Sequence, residues 1–281
     1  MSELYSHSRV NCFKQCPKLF EYKYIQRLIP LGADTKALSM GKAFHTGVEH
    51  ASVQACVDYM NNDEYFMSQD DEVDKAICMA MVEAFIKKYP ECKKWRHEEH
   101  FTFDLLGTGE DNFQLYVDGL EEHEDGYYIV ELKTASMLND AYFKKLEFND
   151  QISRYWHVCE QKLDKPILGV KYYVVKKPLL RLKKTETIQQ YINRLVERLM
   201  EEDSIIDLVI HRTPDQVKDC ILDTITDIEL IQKTTRFTKN LSACSVYGTC
   251  PYMELCMGTK DAELLFVRKE DEDVTEERES E

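Results

Sequence analysis

The chain has 281 residues, 43% of them hydrophobic, enough to bury a sizeable core in one large domain or two small ones. Its 51 acidic and 36 basic residues leave a formal net charge of -15, which argues against holding nucleic acid through the overall field. No apolar run approaches the roughly 18 residues of a membrane span, and "MSELYSHSRVNCF" lacks the basic-then-apolar order of a secretory signal, so a cytoplasmic location is expected.

Taken in chain order, residues 7–28 read as a helix with aromatics at helical spacing, interrupted or restarted at Cys16-Pro17. Residues 39–60 read as a second helix, its start marked by Ser39, and residues 72–89 as a third. A β region follows, "HFTFDLLG", "FQLYVDGL" and "YYIVELKTA", separated by Gly- and Asp-rich turns of the kind hairpins need. Residues 150–162 are helical, "ILGVKYYVV" is a strand, and helices return over about 185–203 and 214–233. The order, with no internal repeat and no long linker, predicts a single domain of α/β class over 1–266. Residues 267–281 read as an acidic, solvated, disordered tail. Residues 171–184, "KYYVVKKPLLRLKK", concentrate cations among aromatics, which suits either an exposed strand and loop or a local track for phosphates.

Within the hairpin "VDGLEEHEDGYYIVELKTAS", period-two alternation puts Tyr127, Ile129, Glu131 and Lys133 on one face, and Tyr128, Val130 and Leu132 on the other. An acid and a lysine closing an apolar run make an ordinary cross-strand ion pair on their own. Asp118 ends the preceding strand, and the "EEHEDG" turn folds it back beside Glu131. Two carboxylates can then converge on one hard cation with a lysine next to them, the equipment for metal-assisted phosphodiester hydrolysis.

The pattern Asp118, Glu131-Leu132-Lys133 resembles the D…(D/E)-x-K core of the PD-(D/E)xK nuclease superfamily. Further stretches resemble its RecB-like, CRISPR-adaptation-nuclease-like branch: "SHSRVNCFKQCPKLFEYKY" at the N-terminus, "GKAFHTGVEH" as a G-x-x-x-H helix, "QISRYWHV" as a Q-x-x-x-Y motif, and a C-terminal cysteine cluster. The resemblance implies a restriction-endonuclease-like core, a central mixed β-sheet flanked by helices, with the helical N- and C-terminal parts joined at an iron–sulfur cluster. It makes His45, Asp118 and Glu131 ligands of Mg²⁺ or Mn²⁺, with the Leu132 carbonyl a further ligand and Lys133 the catalytic lysine. Gly41 is read as allowing close backbone approach beside His45. The resemblance places Gln151 and Tyr155, four apart on one helix face, beside the site to contact the DNA backbone or orient the lysine. Glu98 or Glu99 in "HEEHF" offers a further acid.

Five of the ten cysteines, Cys56, Cys78, Cys92, Cys159 and Cys220, read as buried free thiols. Cys244, Cys250 and Cys256 recur with five residues in each interval, and Gly248 and Pro251 between them favour a looped ligand segment. The resemblance supplies Cys16 as fourth ligand, with Cys12 as competitor. The wide spacing favours a [4Fe–4S] cluster over Zn²⁺, although family members commonly have a shorter first interval. The cluster would pin the two chain ends together. The expected activity is a metal-dependent deoxyribonuclease acting on DNA ends or single strands, an exonuclease in repair, recombination or phage DNA metabolism of a prokaryotic or phage-infected cell. The alternative is a catalytically silent nuclease-like subunit that binds DNA or protein. No G-x-x-x-x-G-K-[ST] run is present, so unwinding would fall to a helicase or recombination partner.

Overall fold

The computed structural model describes residues 4–32, 35–69, 72–246 and 248–268. Helices α1 (His7–Gln15) and α2 (Pro17–Phe20) and a π-helical turn lead to strand β1 (Leu28–Pro30). Four helices follow, α3 (Lys36–Glu49), α4 (Val53–Met60), α5 (Glu64–Gln69) and α6 (Glu72–Lys88). The middle of the chain forms β2 (Arg96–Phe103), β3 (Phe113–His123), β4 (Gly126–Ala135), α7 (Asp140–Glu147), α8 (Asp150–Lys162) and β5 (Ile167–Lys176). The last part contains α9 (Ile188–Leu199), β6 (Ile205–Ile210), α10 (Pro214–Lys233), α11 (Met253–Met257) and β7 (Phe266–Arg268).

The central sheet has the order β2-β3-β4-β5-β6. Every pair is antiparallel except β4 with β5, which run parallel because α7 and α8 cross over between them. Alternation along β4 and β5 divides the core into two layers. Val130, Leu132, Tyr173 and Val175 pack on Phe44 of α3, Phe85 of α6 and Leu195 of α9. Ile129, Tyr172 and Val174 pack on Val10 of α1, Ile152 of α8 and Ile228 of α10. Helices therefore cover both faces, as a mixed sheet with a buried parallel pair requires. β1 and β7 form a separate two-stranded sheet joining the first and last described parts of the chain.

Several boundaries differ from the sequence expectation. The second helix begins at Lys36 rather than Ser39, whose buried hydroxyl instead donates to Asp63 at 3.1 Å. It divides at Ala51, which has φ 45°, and Ser52 restarts it as the N-cap of α4 by accepting from Ala55 N–H. α7 and β6 form where the sequence reading placed no element. The ordered body reaches Arg268, so residues 267 and 268 of the expected tail are strand; residues 269–281 lie outside the described residues. The close backbone approach expected at Gly41 is at Gly47 instead. A Cβ on Gly41 would meet nothing within 4 Å, whereas one on Gly47 would stand 2.4 Å from Val82 Cγ2 where α3 crosses α6. That crossing fixes the axis of α3, and so the position of His45.

The helices on the second face are joined by a buried polar cluster. Arg154 of α8 is 1% exposed, and its Nε donates to Thr224 Oγ1 of α10 at 2.9 Å. Its Nη1 also meets Nδ1 of His7 in α1, whose other ring nitrogen lies 2.7 Å from the Asn11 amide. Since a guanidinium only donates, His7 Nδ1 must be the acceptor and the imidazole neutral. Replacing Arg154 with Met should cost about 3 kcal/mol, because the buried polar groups of His7 and Thr224 lose their shared donor. Urea unfolding measures this, and an unchanged midpoint would show that the cluster does not join the helices.

Candidate active site

The hairpin joining β3 to β4 pairs from His123 opposite Gly126 up to Gly119 opposite Val130, and there the two strands part. In the gap the Asp118 side chain replaces the ladder: Oδ2 accepts the Leu132 N–H at 2.6 Å. β4 continues along β5 to the pair Ala135 and Lys176, so its backbone stays in the sheet while the side facing β3 opens. Glu131 is 3% exposed, and its Oε1 takes the Lys133 ammonium at 2.9 Å.

The second oxygen of Asp118, Oδ1, lies 3.1 Å from Nδ1 of His45 on α3. Burial, the largest single influence, would lower the His45 pKa, but the charge and hydrogen bond of Asp118, with the Glu131 charge, together outweigh it and hold the imidazolium above its ordinary value, Lys133 opposing. Burial would likewise raise the Asp118 carboxyl. His45, the Leu132 N–H and Lys133 together hold it below the usual carboxylate value.

Glu98 completes the cluster. In β2 the residues on either side of it pair as His97 with Gly119 and Glu99 with Val117, so Glu98 stands across from Asp118. Ligand atoms of His45, Glu98 and Asp118 lie within 4.8 Å of one another. Glu98 has φ 49°, a left-handed conformation that costs an L-residue about 1–2 kcal/mol and recurs at functional sites. Glu99 is turned to other use, receiving Arg96 Nε and Nη2 at 2.9 and 3.0 Å. The choice left open between the two acids thus falls to Glu98. Two carboxylates and one imidazole at this separation fit a small divalent cation of the Mg²⁺ or Mn²⁺ type. Glu131 and Leu132, expected as ligands with His45 and Asp118, border this group rather than belong to it.

Tyr142 of α7 is a neighbour that the sequence reading missed. Burial, more than any charge, raises its phenol pKa, with Lys133 and Glu131 acting on it as well, so α7 packs beside the ion pair. Its signal was the Asn139 N-cap, which accepts from Tyr142 N–H and starts the helix. Of the two roles expected for Gln151 and Tyr155, contacting the DNA backbone or orienting the lysine, their burial bears on the first. Each is 3% exposed, and Gln151 Nε2 donates to Tyr155 Oη at 2.7 Å, so neither presents a surface to DNA.

Cys16, Cys244 and Cys250 line one open cavity where α2 begins. Cys256 lies close enough to feel the charges of Cys16 and Cys244, and burial foremost pushes its thiol up. Asn240 N–H donates to Cys16 Sγ at 3.4 Å, and Tyr22 Oη reaches Cys256. Cys12 is instead buried in the apolar core with Phe13 and Phe20. Among the described residues no three of the four sulfurs lie within 4.8 Å of one another.

No curated protein matches the chain. Among solved structures it is similar to a "Putative exonuclease" from Eubacterium rectale, at 10% identity and a TM-score of 0.59, covering 98% of this chain and 94% of that one. At that identity the likeness shows the fold alone. The model of one nuclease family matches residues 5–257. The chain belongs to the PD-(D/E)XK nuclease superfamily.

Proposed function

We propose that the protein is a Mg²⁺- or Mn²⁺-dependent deoxyribonuclease that hydrolyses phosphodiester bonds at DNA ends or in single strands, as an exonuclease. The observation carrying this reading is the Asp118 carboxylate, divided between His45 Nδ1 and Leu132 N–H, with Glu98 opposite and the Lys133–Glu131 pair beside it. The exonuclease choice draws support from what the similar structure is named. Action in repair, recombination or phage DNA metabolism, with a separate helicase where unwinding is needed, is the setting we infer.

In this reading Asp118, Glu98 and His45 hold the cation, and Glu131 and the Leu132 carbonyl face it from β4. A divalent cation in that place supplies charge neutralisation on the scissile phosphate and makes a water more acidic. Lys133, held on β4 by its pairing with β5, orients the attacking water and offsets negative charge that develops on the phosphate. Glu131 fixes the Lys133 ammonium, so its direction does not depend on solvent. Gln151 and Tyr155 serve behind the site as packing of α8. We also assign Cys16, Cys244, Cys250 and Cys256 to an iron–sulfur cluster of structural role. A single Zn²⁺ with bonds of about 2.3 Å would draw all four sulfurs to roughly 3.8 Å from one another, whereas among the described residues no three of them lie mutually within 4.8 Å.

Two measurements test these assignments. On 5′- and 3′-labelled single and double strands with Mg²⁺ or Mn²⁺, Lys133→Ala should lower kcat about a hundredfold or more. A wild type that cuts no better than the Lys133→Ala, Asp118→Ala double variant would favour the silent-subunit reading, which the net charge of -15 suits. Protein purified without air should carry iron and a visible chromophore that Cys250→Ser removes. Bound zinc in place of iron would reject the cluster.

A further inference from the structure

Residues 171–184 hold six cations and no acid, in a chain whose net charge is -15. The first, Lys171, is neutralised, with Nζ 2.7 Å from Glu121 Oε2 and 4.4 Å from the Tyr128 ring centroid. Lys176 closes β5, and the other four continue past it into an extended run leading to α9. Lys177 N–H donates to Ala135 O at 2.8 Å, so the run departs from the end of β4, beside Lys133.

From there the run is braced. Leu180 and Leu182 pack onto the core layer under α3, α6 and α9. From α9, Tyr191 Oη donates to Leu180 O at 2.7 Å and Arg194 Nη2 to Arg181 O at 2.9 Å. The Lys183 N–H donates to Glu186 at 3.1 Å. With both leucines turned inward, Arg181, Lys183 and Lys184 are exposed. Glu186 takes Arg194 at 2.8 and 2.7 Å, and Glu201 and Asp203 take Arg198 at 2.8 Å each. A basic loop that only aids solubility needs no such bracing. Cations held in place beforehand lose less conformational entropy when they meet a ligand.

We propose that Arg181, Lys183 and Lys184 form a phosphate rail along which a DNA strand reaches the active site at the end of β4. The proposal rests on the nuclease reading and adds where the substrate runs. Its support is charge complementarity to a polyanion, continuity with the site, and the bracing. Contacts of this kind read phosphates and not bases, so the rail is indifferent to sequence.

The test is equilibrium binding of a fluorescein-labelled single strand in EDTA, followed by anisotropy between about 50 and 200 mM salt. Replacing Arg181, Lys183 and Lys184 together with Ala should weaken binding tenfold or more at the lower salt. It should also reduce the slope of log K against log salt by about 2, since each phosphate contact on a single strand contributes about 0.7. The charge-keeping set Arg181→Lys, Lys183→Arg, Lys184→Arg should restore both values, which a merely misfolded variant could not do. An alanine variant with the wild-type affinity and slope overturns the rail, as does a wild type that binds no DNA. Because binding is read without metal, a wild type that binds with the expected slope but cuts nothing when Mg²⁺ is supplied keeps the rail and overturns the nuclease reading.

Discussion

The site depends on one substitution of a side chain for backbone. Where β3 and β4 part beyond Gly119 and Val130, the Asp118 carboxylate takes the Leu132 N–H that the ladder leaves unpaired. A buried amide without a partner would cost about 1–3 kcal/mol, so Asp118 stabilises the opening it creates. Its other oxygen is then directed at His45, and Glu98 stands across from it on β2. Three strands and one helix thus converge on one carboxylate. Shifting any of them, for instance by filling the Gly47 contact between α3 and α6, would move a ligand without touching the site itself.

The electrostatics follow from the same arrangement. In the metal-free protein His45 and Asp118 neutralise each other, as Lys133 and Glu131 do. Pairing keeps four ionisable groups tolerable in a partly dry cleft. An acidic protein that acts on a polyanion has a second difficulty, since its long-range field repels the substrate. A local concentration of cations offsets that repulsion in the proposed rail: past Lys171, which Glu121 neutralises, residues 176–184 hold five cations and no acid.

Much of this was legible in the sequence because it is local. The alternation of β4 and the helices α6, α8 and α10 follow from spacing, whereas the turn is tighter than "EEHEDG" suggested, because Glu121, Glu122 and His123 extend β3. The remainder depends on tertiary register. Glu98 and Glu99 are indistinguishable in "HEEHF" until the pairing of β2 with β3 sets one across from Asp118 and gives the other to Arg96. Gly41 and Gly47 sit on one helix, and only the crossing of α6 shows which needs to lack a side chain. β6, "IIDLVI", is a short edge strand between two helices, where a six-residue apolar run looks the same as the end of either. Gln151 and Tyr155 were correctly placed on one helix face, but that face turns inward onto the sheet.

The central claim is that Asp118, Glu98 and His45 are the ligands of one divalent cation. Calorimetric titration of the metal-free protein with Mn²⁺ tests it most directly, comparing wild type with Asp118→Asn, Glu98→Gln and Glu99→Gln. The account predicts one site, weakened about tenfold or more by each of the first two substitutions and unchanged by the third. Mn²⁺ affinity that is the same in all four proteins would contradict it.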